Sequence, residues 1–280
     1  MKIFQEKQLK ELYKPQPVGK GNNGRVVVIG GSSLFHGAPL LALKTASRIV
    51  DMVFFTSPEP SLGESAAQLK SCLSSFIWFP FEQIKDYVIR ADAILIGPGL
   101  LRYHNEKRSY ECSREKLCDQ TGQETKKITE DLLAEFPQKQ WVIDAGSLQV
   151  MDPKFISPKA ILTPNRKEYE MLFENELPQK VAKKYQCILV FKNAATEIFS
   201  STEEIMVNGG NYGMIKGGTG DVLAGLTLAL AAKNPPFLAA TAASFLVKKA
   251  ADELHEKVGF AYNADDLAEK IPEVLGCFWR

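Results

Sequence analysis

Long apolar runs are missing from this chain. The longest, such as Val26–Ile29 and Ala93–Ile96, fall far short of the ~20 residues that a membrane-spanning helix needs. A surplus of one charge is missing as well. Lys and Arg number 34 against 33 Asp and Glu, a formal net charge of +1, whereas a protein that binds nucleic acid mainly by neutralising phosphates carries a basic excess. The opening Met1-Lys-Ile-Phe-Gln-Glu-Lys7 holds no apolar core of the kind a secretory signal requires. The expectation is a cytoplasmic protein with neither a membrane nor a nucleic acid as partner. Cysteines are few, odd in number and scattered (Cys72, Cys112, Cys118, Cys187, Cys277), with no zinc-finger spacing, which points to free thiols in a reducing compartment. His36, His104 and His255 form no metal cluster in sequence. No internal repeat and no linker breaks the chain, so 1–280 reads as one domain. Its 45% hydrophobic and 24% charged residues are those of an ordinary globular chain.

What is present is a series of short, uniformly apolar segments that end in polar or glycine-rich residues. Arg25–Gly31 (ending in its two glycines), Met52–Phe55, Ser75–Phe79, Asp92–Gly97, Trp141–Asp144, Ala160–Leu162 and Cys187–Phe191 read as strands, and Glu204–Val207 as a later one. Helical spacing falls between most of them, for example at Ala38–Ile49, Thr129–Phe136 and Lys167–Phe173. Buried strands alternating with helices imply a mainly parallel sheet covered on both faces. Such sheets bind ligands at the carboxyl ends of their strands. Here those ends carry Gly30-Gly31, Gly97-Pro-Gly99, Asp144, Thr163-Pro-Asn165 and Lys192. Tyr103–Lys127 is polar and aperiodic and reads as a surface insertion.

The densest signal lies near the C-terminus. Gly209–Gly220 holds six glycines in twelve residues, and Asp221–Ala232 behind it is an almost wholly apolar helix. Consecutive glycines let the backbone approach an anion, and a helix N-terminus favours negative charge. A carboxylate beside an anion hole repels the anion unless it handles a proton, which makes Asp221 a candidate general base. The alternative is that Asp221 caps the helix and the glycines make a tight turn.

Gly217-Gly-Thr-Gly-Asp-Val-Leu-Ala-Gly225 resembles the signature of the ribokinase-like superfamily, and within it the ADP- or ATP-dependent NAD(P)H-hydrate dehydratases. Asn211-Tyr-Gly-Met214, Gly30-Gly-Ser-Ser33, Gly37-Ala-Pro-Leu40, Gly97-Pro-Gly-Leu100, Leu162–Glu168 and Ala264–Pro272 resemble further segments of that family, in order, so the likeness covers nearly the whole chain. It implies a three-layer α/β/α fold with a mainly parallel central sheet. It also implies a lyase that repairs hydrated NADH or NADPH. Phosphorylation of the ring hydroxyl by ADP or ATP, with Mg²⁺, turns a poor leaving group into a good one, and phosphate departs.

By the same resemblance, Asp221 takes the hydroxyl proton while Gly218 and Gly220 steady the phosphoryl group. Ala38, Gly99, Asn165 and Asp221 contact the hydrate. Lys192, Asn193, Ala194, Ala195, Thr196, Lys216, Thr219 and Gly220 line the nucleotide, and Glu168 helps hold the metal, largely through water. Several have a plainer reading: Asn165 as a helix cap, Glu168 as an exposed first-turn acid and Lys192 as a solvated strand end; Asp144 is open between an acid that supports the site or its metal and a cap. A homo-oligomer and a separate NAD(P)H-hydrate epimerase are the partners implied. Three positions depart from the family pattern: Leu101, Gly146 and the Asn193 that follows Lys192. A vitamin-precursor kinase of the same superfamily is the alternative enzyme, and a nucleotide-binding protein without turnover the alternative from another class.

Overall fold

A computed structural model of the chain describes residues 1–103, 120–193 and 195–280. Ten strands and ten α-helices are present among the described residues. In chain order they are β1 (Lys2–Ile3), β2 (Arg25–Ile29), α1 (Gly37–Ala46), β3 (Met52–Thr56), α2 (Leu62–Leu69), β4 (Ile77–Trp78), α3 (Ile84–Arg90), β5 (Ala93–Ile96), α4 (Gln120–Glu135), β6 (Gln140–Ile143) and α5 (Ala145–Val150). The second half adds β7 (Ile161–Leu162), α6 (Arg166–Phe173), α7 (Pro178–Tyr185), β8 (Ile188–Phe191), β9 (Thr196–Phe199), β10 (Glu204–Val207), α8 (Thr219–Ala231), α9 (Pro236–Val258) and α10 (Ala264–Trp279).

The strands form one sheet in the order β1-β10-β9-β8-β7-β6-β5-β2-β3-β4. Only β9 runs against its neighbours β8 and β10; every other pairing is parallel. Alternate side chains of a strand point to opposite faces, and the apolar segments serve both. Val26 and Val28 of β2 pack under α1, α8 and α9, whereas Val27 and Ile29 join Ile94, Trp141, Leu133 of α4 and Tyr169 of α6 on the other side. Two separate cores of this kind are why the strands carry no polar alternation. Among the described residues no helix is long and apolar enough to cross a membrane.

Strand order reverses at β2, which lies between β3 and β5. Gly30-Gly31 and Gly97-Pro98-Gly99 both leave the sheet at that switch, where open α/β sheets leave a crevice. Gly97 has φ +123, and a Cβ there would overlap the carbonyl oxygen of Asp144 at the end of β6. Gly146 answers it from the other side, since a Cβ there would overlap the carbonyl oxygen of Leu100. The two chain crossings touch backbone to backbone, so the departure at Gly146 is a packing requirement that excludes a side chain.

The polar segment 103–127 is not uniform. Residues 104–119, with Cys112 and Cys118, lie outside the described residues. Tyr103 is buried, and Gln120–Lys127 form the first two turns of α4 in place of the expected aperiodic stretch. The helix is held there by tertiary contact: Thr125 is buried, and the Tyr103 ring lies so close to Gly122 that a Cβ would overlap it.

Candidate active site

The carboxyl ends of β7 and β8 bring two polar side chains onto one buried carboxylate at the end of β6. Asp144 is 2% exposed. Its Oδ1 accepts from Thr163 Oγ1 at 2.7 Å and from Lys192 Nζ at 3.1 Å. The Lys192 backbone N–H donates to the carbonyl of Pro164, and Lys192 pairs with Asn165 in an isolated parallel bridge. That extension of the β7–β8 pairing turns the lysine inward instead of into solvent. Its ammonium lies 3.5 Å from where a Cβ on Gly220 would sit, so it lies beside the glycine loop as well.

That loop opens α8. Gly218 is the N-cap at φ +92, a conformation that suits glycine, and it offers no side chain to the helix end. The Thr219 amide donates back to the Lys216 carbonyl, and the positive end of the helix dipole lies at this loop. Asp221 sits in this first turn. Burial, then the nearby Asp144 and Glu168 carboxylates, push its pKa up to about 7, against the opposing pull of Lys192. Burial works against the charge of Lys192, yet Asp144, Glu168 and Asp221 together hold its pKa above the ordinary lysine value.

Asn165 caps α6: its Oδ1 accepts the Glu168 amide, and Glu168 Oε2 accepts the Asn165 amide at 2.8 Å. Glu168 is buried, not an exposed first-turn acid, and its Oε1 accepts from Gln149 Nε2 at 3.3 Å. Gln149 in turn accepts from Arg102. Burial and Asp144 raise the Glu168 pKa while Lys192 lowers it, with a net upward shift. Among the described residues no three His, Cys, Asp or Glu side chains stand together as a metal site.

Beside Asp221 opens a cleft of about 890 Å³. Asn165, Lys192, Asn193, Thr196, Thr219 and Gly220 all line it. Ala195 is half-buried and Ala194 lies outside the described residues. Two candidates serve the loop itself. Thr219 Oγ1 donates to the carbonyls of Met214 and Lys216, and Lys216 Nζ donates to the carbonyls of Phe260 and Tyr262. Gly99 lies elsewhere, at the strand switch, against the stretch that carries Ala38: a Cβ on Gly99 would crowd Phe35, Pro39 and Gly31. Ala38 and Gly99 line no part of the cleft, which Asn165 and Lys192 do.

Sequence reasoning missed the back wall of the cleft. Asp252 of α9 accepts from the Gly210 amide and from Asn211 Nδ2, and Lys248 Nζ donates to the Gly209 carbonyl. Tyr262 donates to Asn211 Oδ1. These bonds fasten the glycine-rich loop to α9. One signal for them was readable: Lys248, Asp252 and His255 recur at i, i+4 and i+7, the spacing of one helix face.

Comparison with known proteins falls on this same stretch. The family model described as NAD(P)H-hydrate dehydratase matches residues 26–273. A bifunctional NAD(P)H-hydrate repair enzyme Nnr from Methanocaldococcus jannaschii is 33% identical over 271 residues, covering 92% of this chain and 49% of that protein. The chain thus spans about half the length of the bifunctional relatives it matches. An ADP-dependent (S)-NAD(P)H-hydrate dehydratase from Enterococcus faecalis is 28% identical over 277 residues, covering 94% of this chain and 84% of that one. Among solved structures, a ribokinase-like superfamily protein from Enterococcus faecalis superposes with a TM-score of 0.78 at 24% identity, covering 99% of this chain and 96% of the other. The fold is therefore the ribokinase-like one.

Proposed function

The chain belongs to the NAD(P)H-hydrate dehydratase family, and from that membership we propose that it dehydrates the S-epimer of hydrated NADH or NADPH, using ADP or ATP, and so restores NAD(P)H. The observation that carries the reading is Asp221, a carboxylate with a pKa near 7 in the first turn of the helix that the glycine loop opens. A base poised at neutral pH is what removal of a hydroxyl proton calls for. The freed oxygen attacks the terminal phosphoryl group, and AMP or ADP leaves. The C–O bond then breaks with its electron pair going to phosphate, and loss of a proton from the neighbouring carbon restores the ring double bond. The amides of Gly218 and Gly220 are the ones assigned to the charge that builds on the phosphoryl oxygens, since the Thr219 amide is held by the Lys216 carbonyl.

In this reading Ala38, Gly99 and Asn165 frame the hydrate. Lys192, Asn193, Ala195, Thr196, Thr219 and Gly220 frame the nucleotide, with Lys216 holding the loop that carries the last two. Mg²⁺ neutralises phosphate charge when bound. Both Glu168 oxygens already have partners, so Glu168 suits a cation held by the phosphates and reached through water, which is the habit of Mg²⁺. A separate NAD(P)H-hydrate epimerase is the functional partner proposed, because an S-specific dehydratase leaves the other epimer to be converted.

The direct test mixes the protein with hydrated NADH, Mg²⁺ and either ADP or ATP and follows absorbance at 340 nm. A rise that needs nucleotide is expected; a flat trace with both nucleotides refutes the proposal. The pH dependence has a definite sign. Asp221 works as the carboxylate, so turnover should fall as pH drops through about 7. Lys192 holds that carboxylate down, so Lys192→Ala should move the midpoint to higher pH. The same variant should weaken the rise in melting temperature given by Mg-ADP or Mg-ATP, through loss of a charge-assisted contact, and leave the NADPH-induced rise largely intact. An unchanged midpoint, or loss of the NADPH shift alone, would count against the division of the cleft.

A further inference from the structure

Thr163 follows β7, is fully buried and is not among the residues that line the cleft. Its amide donates to the Ile143 carbonyl at 3.2 Å, so the backbone stays paired with β6 one residue beyond the strand. Its hydroxyl stands 3.5 Å from that same carbonyl but 2.7 Å from Asp144 Oδ1. A hydroxyl has one hydrogen to give, and the shorter contact, with a charged acceptor, takes it.

The same oxygen accepts Lys192 Nζ at 3.1 Å. Among the described residues these two donors are the side-chain partners of the Asp144 carboxylate. A carboxylate taken out of water needs its charge met by donors around it. Here a neutral hydroxyl meets part of that charge and an ammonium the rest. The ammonium is in demand elsewhere. Lys192 lines the cleft and lies beside Gly220, and Glu168 and Asp221 act on its charge as well. Whatever share of the Asp144 charge the hydroxyl meets is a share that does not draw the lysine inward.

We propose that Thr163 is a positioning residue for Lys192: its hydroxyl shares the Asp144 carboxylate with the ammonium, which leaves the ammonium free to reach from the cleft wall to the phosphates of the nucleotide. The inference rests on the nucleotide reading above and adds to it a residue that touches no ligand. Valine at this position keeps the shape and removes the hydroxyl. Asp144 is then left to the lysine alone, the ammonium settles onto it, and its contact with phosphate weakens.

Isothermal titration of Mg²⁺ and ADP into the parent, Thr163→Val, Thr163→Ser, Lys192→Ala and the Thr163→Val/Lys192→Ala double variant tests it. Thr163→Val should bind ADP about fivefold more weakly, the scale of one hydrogen bond. Thr163→Ser, which restores the hydroxyl, should bind as the parent does. Lys192→Ala should lose about tenfold. The double variant should match Lys192→Ala within about twofold, because a residue that acts through the lysine has nothing left to act on. A purely structural threonine would lower affinity by the same factor with or without the lysine. Multiplied losses in the double variant, a Thr163→Val protein that binds like the parent, or a serine that fails to restore binding overturns the inference and leaves the nucleotide reading standing. Where the valine protein does not fold, Thr163→Ala is read by the same comparisons. A parent protein that does not bind ADP overturns the nucleotide reading and this inference with it.

Discussion

Asp221→Asn is expected to turn over hydrated NADH about 10²–10⁴-fold more slowly than the parent protein, the usual weight of a general base, while still binding Mg-nucleotide and NADPH. The amide keeps the shape of the side chain and cannot take the proton. A second expectation separates this from damage to the fold. The Asp221 pKa is raised in the folded protein to about 7, above its unfolded value, so folding favours the protonated form. That contribution is fully present below the unfolded pKa and is lost as pH rises through about 7. Above pH 7 the parent carries a buried carboxylate close to two others, and the asparagine does not. The variant should therefore melt several degrees higher at pH 8, with the gain shrinking towards pH 5. Thermal melts at the two pH values check the stability arm, and the 340 nm assay checks the rate. Near-normal turnover sinks the assigned base; a variant less stable than the parent at pH 8 sinks the account of its pKa.

Gly97→Ala is expected to cost more than about 4 kcal/mol of stability, enough to leave little folded protein at 37 °C. Two effects add at this position. The backbone at φ +123 strains any residue with a side chain. The new Cβ would also overlap the Asp144 carbonyl oxygen, a main-chain atom that cannot swing aside as a long side chain can. Moving it would disturb the end of β6 and with it the Asp144 carboxylate that Lys192 and Thr163 hold. Urea unfolding, or the soluble yield where the variant does not fold, measures the loss. A Gly97→Ala protein within about 1 kcal/mol of the parent would show that the β5 and β6 crossings do not need to touch. The sequence showed this glycine only as part of a glycine-rich strand end. The structure gives the reason for it, the close approach of its own chain.

Much of the framework was legible because its signals are local. Seven apolar segments became β2 to β8 at or near their expected positions, since a strand buried on both faces must be apolar throughout. The glycine loop and the apolar α8 were readable for the same reason: backbone conformation and burial restrict the residue types that fit. Elements whose identity rests on pairing alone were not readable. β1 is two residues long and exists as a strand because Lys2 and Ile3 pair with Ile205 and Met206. β9 runs Thr-Glu-Ile-Phe and turns the sheet antiparallel through its neighbours. The first turns of α4 are polar and owe their place to Tyr103 and to the buried Thr125.

The site divides in the same way. The sequence by itself determined which residues stand at strand ends and that an acid follows an anion-seeking loop, because these depend on neighbours along the chain. Only the tertiary structure decided that Lys192 turns inward onto Asp144, that Glu168 is buried in a capping box, and that Lys216 and Thr219 hold the loop in place. It alone raised Asp221 to about 7, because burial and the fields of Asp144, Lys192 and Glu168 act through space between residues that lie 29 to 77 positions away in the chain.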